Sequence, residues 1–324
     1  MRPNDVAKFV EHLAAHPILG PRYGNLTEFL PLTIRDALAV GEDVTNLFII
    51  FEVFQGSSTR FLGGKLGGFV ADDFVREVKT TPYFWIGPEL VKRITSGKSP
   101  LLSYKEIRDQ NSTVGLNLVI WDFTVHPRDL TSAEVGRIVM IAFDETYGGY
   151  QLREVIDQAS CLEHLSALRR GDGLYYDRVE GCYGNVPEVN AANFSDEPRN
   201  VGMTRDLALT RVGSRFGSFL LCSLPQFGFA RAEQRLLLEA MAGKTDEELG
   251  ARLGISLAAV KKTWRVIYDR AAEHLPELAP GEPRVDGEKA RRGKQKRQRL
   301  LDYLRQHREE LRPVSRKLLK HHAP

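Results

Sequence analysis

The stretch KTDEELGARLGISLAAVKKTWRVIYDRA, residues 244–271, admits few folds. Thr245 is a good helix N-cap, and Glu248 three residues on completes a capping box. Leu249 and Leu253 give that helix an inward face. Gly254 stands where a helix ends in the left-handed region, and Ser256 caps a second helix. Ile255 is expected to fill the gap between the two, and Gly250 to sit at their crossing. This is the residue order of a helix-turn-helix.

The second helix separates its residues by chemistry at ~100° per residue. With Val260 at zero, Trp264, Ile267 and Ala271 fall within about 40° of it and form an inward face. Lys261, Arg265, Ala258 and Lys262 fall at about 100°, 140°, 160° and 200° and share the outward face. An isolated basic face is most often only solvated. Here caps, turn glycine and apolar triplet agree, so the face is expected to enter a DNA major groove. Ser256, with the N–H groups beside it, suits a phosphate.

Residues 229–271, FARAEQRLLLEAMAGKTDEELGARLGISLAAVKKTWRVIYDRA, resemble the LuxR-type (GerE) DNA-binding domain. Glu233 stands at that family's acidic position in the first helix, and Leu236–Leu237 at its apolar pair. Gly243 and Thr245 precede the scaffold helix, Glu248–Leu249 match a Glu-Ile, and Leu253–Ser256 reproduce Leu-Gly-Ile-Ser. Val260–Lys261 match a Val-Lys, and Ile267 an apolar anchor. The resemblance implies that Lys261, Lys262 and Arg265 meet DNA in the major groove, with Thr245 and Ser256 capping helices close to phosphate. Departures are Ala232 and Gln234 flanking Glu233, Ala259 for Thr, Thr263 for His, and Trp264 for a smaller apolar residue. They leave the fold intact and alter the sequence preference.

Charge is unevenly spread. Between Arg284 and Lys320 stand 14 Lys/Arg against 5 Asp/Glu, so this segment carries +9 and the first 283 residues −6. A basic end on an acidic body points to a polyanion as partner. Beyond a Pro/Gly-rich linker at 279–288, residues from 289 on are expected to form a helix stopped by Pro313. Leu300, Leu301, Leu304 and Leu311 form a seam that could pack on the helix-turn-helix or on a second subunit. No apolar run approaches the roughly 20 residues that span a bilayer. Residues 1–13 are amphipathic and carry acids, unlike a signal peptide, so no membrane association and a cytoplasmic location are expected. Cys161, Cys182 and Cys222 lack metal-ligand spacing and are expected to be reduced and packed inside.

Upstream, 4–16 and 26–39 read as helices, 46–54 and 115–125 as strands, and 56–69 as strand–turn–strand. Residues 131–159 read as a long helix broken at Gly148–Gly149, 171–205 as loop, and 217–225 as a last strand. Asp72–Asp73 looks like a helix start, which argues against a phosphoacceptor receiver. The glycines at 56–68 have the wrong spacing for a nucleotide phosphate loop. No Ser/His/Asp or Cys/His set suggests catalysis. Trp85, Tyr104 and Trp121 are the candidate lining of a small-molecule cavity, although aromatic residues are more often core.

The expected architecture is an α+β sensor-like domain over 1–225, GAF/PAS-like by analogy. An all-α LuxR-type helix-turn-helix domain occupies 226–278, then a linker and basic C-terminal helix 279–324. The expected function is a non-enzymatic transcriptional regulator. Its expected partners are double-stranded DNA, RNA polymerase, a second copy of itself in a homodimer and a small-molecule ligand; the identity of any cofactor is left open. The alternative is a ligand-binding signalling protein or enzyme whose helix-turn-helix docks another protein.

Overall fold

The structure, a computed structural model, describes residues 3–39, 46–55, 58–190, 194, 197–211, 213–276 and 289–318. The chain separates into two compact units, Met1–Cys222 and Ser223–Pro324.

The first unit runs α1 Pro3–Ala15, α2 Leu19–Tyr23, α3 Leu30–Ala39, β1 Asn46–Gln55, β2 Ser58–Val70, α4 Asp72–Thr80, α5 Ile86–Thr95 and α6 Tyr104–Asn111. It continues with β3 Leu116–Phe123, α7 Ala133–Tyr147, β4 Leu152–Ala159, α8 Leu162–Arg170, β5 Leu174–Asp177, β6 Cys182–Gly184, β7 Arg199–Thr204, α9 Arg205–Thr210 and α10 Arg215–Ser218. The strands form one mixed sheet ordered β1-β2-β3-β4-β7-β5-β6. Strands β3 and β4 are parallel, with α7 between them in sequence, and the other pairs are antiparallel.

Both faces of this sheet are covered. On one, Phe9, Leu13, Tyr23, Leu30, Phe74 and Leu90 from α1–α5 pack with Val119 and Trp121 of β3. On the other, Ile107, Phe143, Tyr147 and Ala208 from α6, α7 and α9 pack with Leu118 and Ile120. Every residue of β3 is consequently buried. That explains why LNLVIWDF is nearly continuous in apolar residues rather than alternating.

Several expectations for this unit are corrected. The glycines of 58–70 mark no hairpin turn; they lie inside the single strand β2. At Gly67 a side chain would collide with the Tyr147 hydroxyl, so the glycine there admits the aromatic ring of α7. The helix after Ser132 ends at Tyr147, and the residues beyond Gly148–Gly149 form β4. Its cap is Ser132, which accepts from the Val135 N–H at 3.4 Å. Residues 171–205 supply β5, β6 and β7. Residues 217–225 hold the end of α10 and no strand. Cys182 is exposed, whereas Cys161 is buried. Asp72 and Asp73 do open a helix.

The second unit comprises α11 Arg231–Met241, α12 Asp246–Leu253, α13 Leu257–His274, α14 Lys289–Gln306 and a 3-10 turn at Arg308–Leu311. All of them share one core. Leu236, Leu237, Leu249, Val260, Trp264 and Ile267 pack with Leu300, Leu301, Leu304 and Leu311. The leucine seam of the basic segment is thus built into the same unit as the helix-turn-helix. Glu310 fixes it there: its buried carboxylate accepts from the N–H groups of Gln226 and Phe227, each at 2.8 Å.

Candidate nucleic-acid interface

The two central helices begin and end as their residues dictate. Glu248 N–H donates to Thr245 Oγ1 at 3.3 Å, and Thr245 N–H donates to Glu248 Oε2 at 2.7 Å. Gly254 adopts φ 67°, ψ 32° in the left-handed region and closes α12. Ile255 N–H returns to Gly250 O at 3.0 Å. A Cβ on Gly250 would sit 2.9 Å from Ile255 O, so this crossing tolerates no side chain. Ile255 itself is 38% exposed and does not fill the gap as expected. Ser256 Oγ accepts from Ala259 N–H at 3.2 Å and starts α13.

Helix α13 presents two chemistries. Val260, Trp264, Ile267 and Ala271 are buried. Lys261, Lys262, Arg265, Ala258 and Ser256 are exposed, as is Thr245 at the head of α12. No carboxylate among the described residues pairs with Lys261, Lys262 or Arg265. The other cations nearby are engaged: Lys244 and Arg252 both reach Glu239, at 2.9 and 3.4 Å. These two cations hold the Glu239 carboxyl below its ordinary range. Deeper in the unit, Arg270 Nη1 lies 2.9 Å from Glu233 Oε2 and donates to Gly228 O at 2.8 Å.

Sequence reasoning missed what Trp264 does. Its Nε1–H donates to Asp246 Oδ1 at 3.1 Å. Arg297 of α14 donates to the same oxygen at 2.8 Å and to Lys244 O at 2.7 Å. The Arg297 guanidinium lies 4.7 Å from the centroid of the Trp264 ring. A further neighbour of the indole is Tyr268, stacked at 5.4 Å. Asp246 thereby joins the scaffold helix, the second helix and the basic segment at one point. The available signal was the pairing of an unusually large residue at 264 with a cation-rich tail. Nothing in either stretch alone gives their register.

The three candidate ligand residues do not converge. Trp85 and Trp121 line one cleft in the first unit with Arg22, Tyr23, Asp122 and Gln158, around a cavity of about 20 Å³. Tyr104 is not part of that lining; it opens α6 and packs against the core on the other sheet face. The cleft exists because of a bulge. Leu66 of β2 pairs with Asp122 and Gly67 with Ile120, so Trp121 is the extra residue. Trp121 and Asp122 then both reach the cleft, against the alternation of a regular strand. The Arg22 guanidinium lies 3.5 Å from the Trp85 ring centroid. Burial pushes the Asp122 carboxyl up to about 7, against the opposing effect of the hydrogen bond donated by Tyr23 Oη. Trp121 Nε1 is buried with no acceptor among the described residues.

No protein-family model, no curated protein and no solved structure matches this chain. Among the described residues, no helix is long and apolar enough to cross a membrane, and no group of His, Cys, Asp and Glu could hold a metal ion.

Proposed function

We propose that this chain is a DNA-binding transcriptional regulator of the LuxR type, in which α13 is the recognition helix. One observation carries the reading. Lys261, Lys262 and Arg265 are exposed and share no ion pair among the described residues, while the same helix is anchored from behind by Val260, Trp264 and Ile267. Unengaged cations on a rigid rod match the acceptors of guanine O6/N7 and of phosphate oxygens. Ala258 adds no bulk at the leading end, and the first-turn N–H groups beyond Ser256 suit a phosphate. A two-fold dimer on half-sites about 34 Å apart is the arrangement such helices use. RNA polymerase is the proposed downstream partner.

The first unit is read as the sensor, GAF/PAS-like in role. Its cleft between Trp85 and Trp121 is the proposed point of ligand entry. A cavity of about 20 Å³ accommodates little more than a water molecule. A ligand therefore has to move Arg22 off Trp85 to enter, and that movement would report occupancy.

Selection of duplexes from a random library by the full-length protein, with fluorescence anisotropy on the selected sequences, tests the reading. The triple variant Lys261→Ala/Lys262→Ala/Arg265→Ala should lose at least about 3 kcal/mol, taking about 1–3 kcal/mol for each base-reading contact. Equal binding by wild type and triple variant, or no duplex affinity at low salt, sinks it.

A further inference from the structure

The polar groups that line the cleft between Trp85 and Trp121 are not equally available to a ligand. Gln158 is engaged at both ends: its Oε1 accepts from Ile86 N–H at 2.7 Å, and its Nε2 donates to Phe84 O and to Asn200 Oδ1, each at 2.8 Å. The Ser160 hydroxyl lies 3.4 Å from His164 Nδ1. Tyr23 Oη donates to Asp122 Oδ2. Asp122 is the one acid among the lining residues, and burial keeps it partly protonated at neutral pH, so it opposes an anion only weakly.

Two groups remain, and both are donors. Trp121 is 4% exposed, and its Nε1–H has no acceptor among the described residues. The β2–β3 bulge brings this donor to the cleft beside Asp122. The Arg22 guanidinium donates to Ser160 O at 3.3 Å and lies 3.5 Å from the Trp85 ring centroid. Its charge persists whatever else it touches. A buried donor without an acceptor destabilises the empty protein, and a ligand that supplies the acceptor recovers that loss. A cation would leave the indole N–H unanswered and meet the like charge of Arg22. An anion answers both. Arg22 also indicates the shape of the ligand. A guanidinium is flat and delocalised, and the indole face that it covers suits a flat ring.

We propose that this cleft takes a small aromatic carboxylic acid, with the carboxylate held by Trp121 Nε1–H and the Arg22 guanidinium and the ring laid on the Trp85 face that Arg22 vacates. This rests on the reading of the first unit as the sensor and names the class of its ligand.

The test is isothermal titration of the full-length protein with benzoate, benzamide and benzylammonium, three probes with one ring and different charge. Benzoate should bind with a Kd of about 1 mM or tighter, and the other two at least about tenfold more weakly. Trp121→Phe, which keeps an aromatic ring in the core, and Arg22→Gln, at a half-buried position, should each weaken benzoate about 10- to 100-fold, the loss expected of a charged hydrogen bond. Circular dichroism checks both folds; if Trp121→Phe does not fold, Arg22→Gln alone decides. Benzamide or benzylammonium binding as tightly as benzoate, and losing affinity in the variants, overturns the acid and leaves the cleft as the sensor site. Benzoate binding that neither variant weakens lies elsewhere and overturns the proposal. If none of the three binds up to about 10 mM, the ligand class and the cleft as entry point fall together. Duplex affinity, measured separately by anisotropy, judges the recognition helix independently.

Discussion

Replacing Arg297 by Met is the sharpest test of how the second unit is held together. The substitution keeps most of the aliphatic stem and removes the guanidinium. Three interactions go with it. The Asp246 pair has side chains 24% and 28% exposed, so solvent screening limits it to about 0.5–1 kcal/mol. The charged hydrogen bond to Lys244 O, at 2.7 Å, contributes about 1.5 kcal/mol. The cation over Trp264 adds about 0.5–1 kcal/mol. These share one side chain and do not simply add, so about 2–3 kcal/mol is expected. Asp246 keeps the Trp264 Nε1–H donor, which avoids the larger cost of an orphaned acid. The chain has three tryptophans, of which Trp264 alone lies in the second unit. A Trp85→Phe/Trp121→Phe background makes its emission a reporter of that unit. In urea the midpoint should fall by about 1–2 M. A fall under about 0.3 M would show that Arg297 is a bystander and that α14 is held by its leucines alone.

Gly250→Ala should destabilise the second unit by about 1–3 kcal/mol, because its Cβ would meet the Ile255 carbonyl at 2.9 Å; urea unfolding monitored by Trp264 emission measures this, and a neutral result would mean that the turn yields. The Asp122 carboxyl, pushed up to about 7 by burial, holds its proton more tightly in the folded state than in the unfolded chain. This stabilising contribution is complete below about pH 4 and is lost as pH rises through about 7. Asp122→Asn removes that dependence, and its advantage over wild type should grow from pH 4 to pH 8 by roughly 4 kcal/mol at the full shift. His16, lowered to about 4 chiefly by burial, acts in the opposite sense in both proteins and cancels in the comparison; a pH-independent difference, read from urea midpoints at each pH, would refute the assignment.

The helix-turn-helix was legible because its signals are local. Thr245, Gly254 and Ser256 each fix a helix end within a few residues, and the Val260–Trp264–Ile267 spacing fixes the inward face. The first unit was less legible because the signals there depend on partners distant in sequence. The glycines of β2 resemble a turn until Tyr147 supplies the reason for Gly67 and the Thr124–Val125 backbone the reason for Gly63. The sequence after Gly149 alternates too weakly to announce β4, whose burial comes from strands on both sides. Trp121 and Asp122 share a cleft through a bulge whose register is set by β2, which single-sequence periodicity does not carry. Aromatic content grouped Trp85, Tyr104 and Trp121, whereas the structure brings the two tryptophans to one cleft and packs Tyr104 on the other sheet face. The role of Arg297 depends on α14 meeting α12, a contact across 51 residues.

The joint core of α11–α14 also bears on how this protein can be dissected. A fragment excised at 226–278, where the recognisable motif stops, would carry Leu236, Leu237, Val260 and Trp264 without the leucines that cover them. It would strip Gln226 and Phe227 of the Glu310 carboxylate as well. Such a fragment should precipitate or bind indiscriminately, and its failure would say nothing about the intact molecule. The smallest piece worth expressing alone runs from the residues before α11 through Val314.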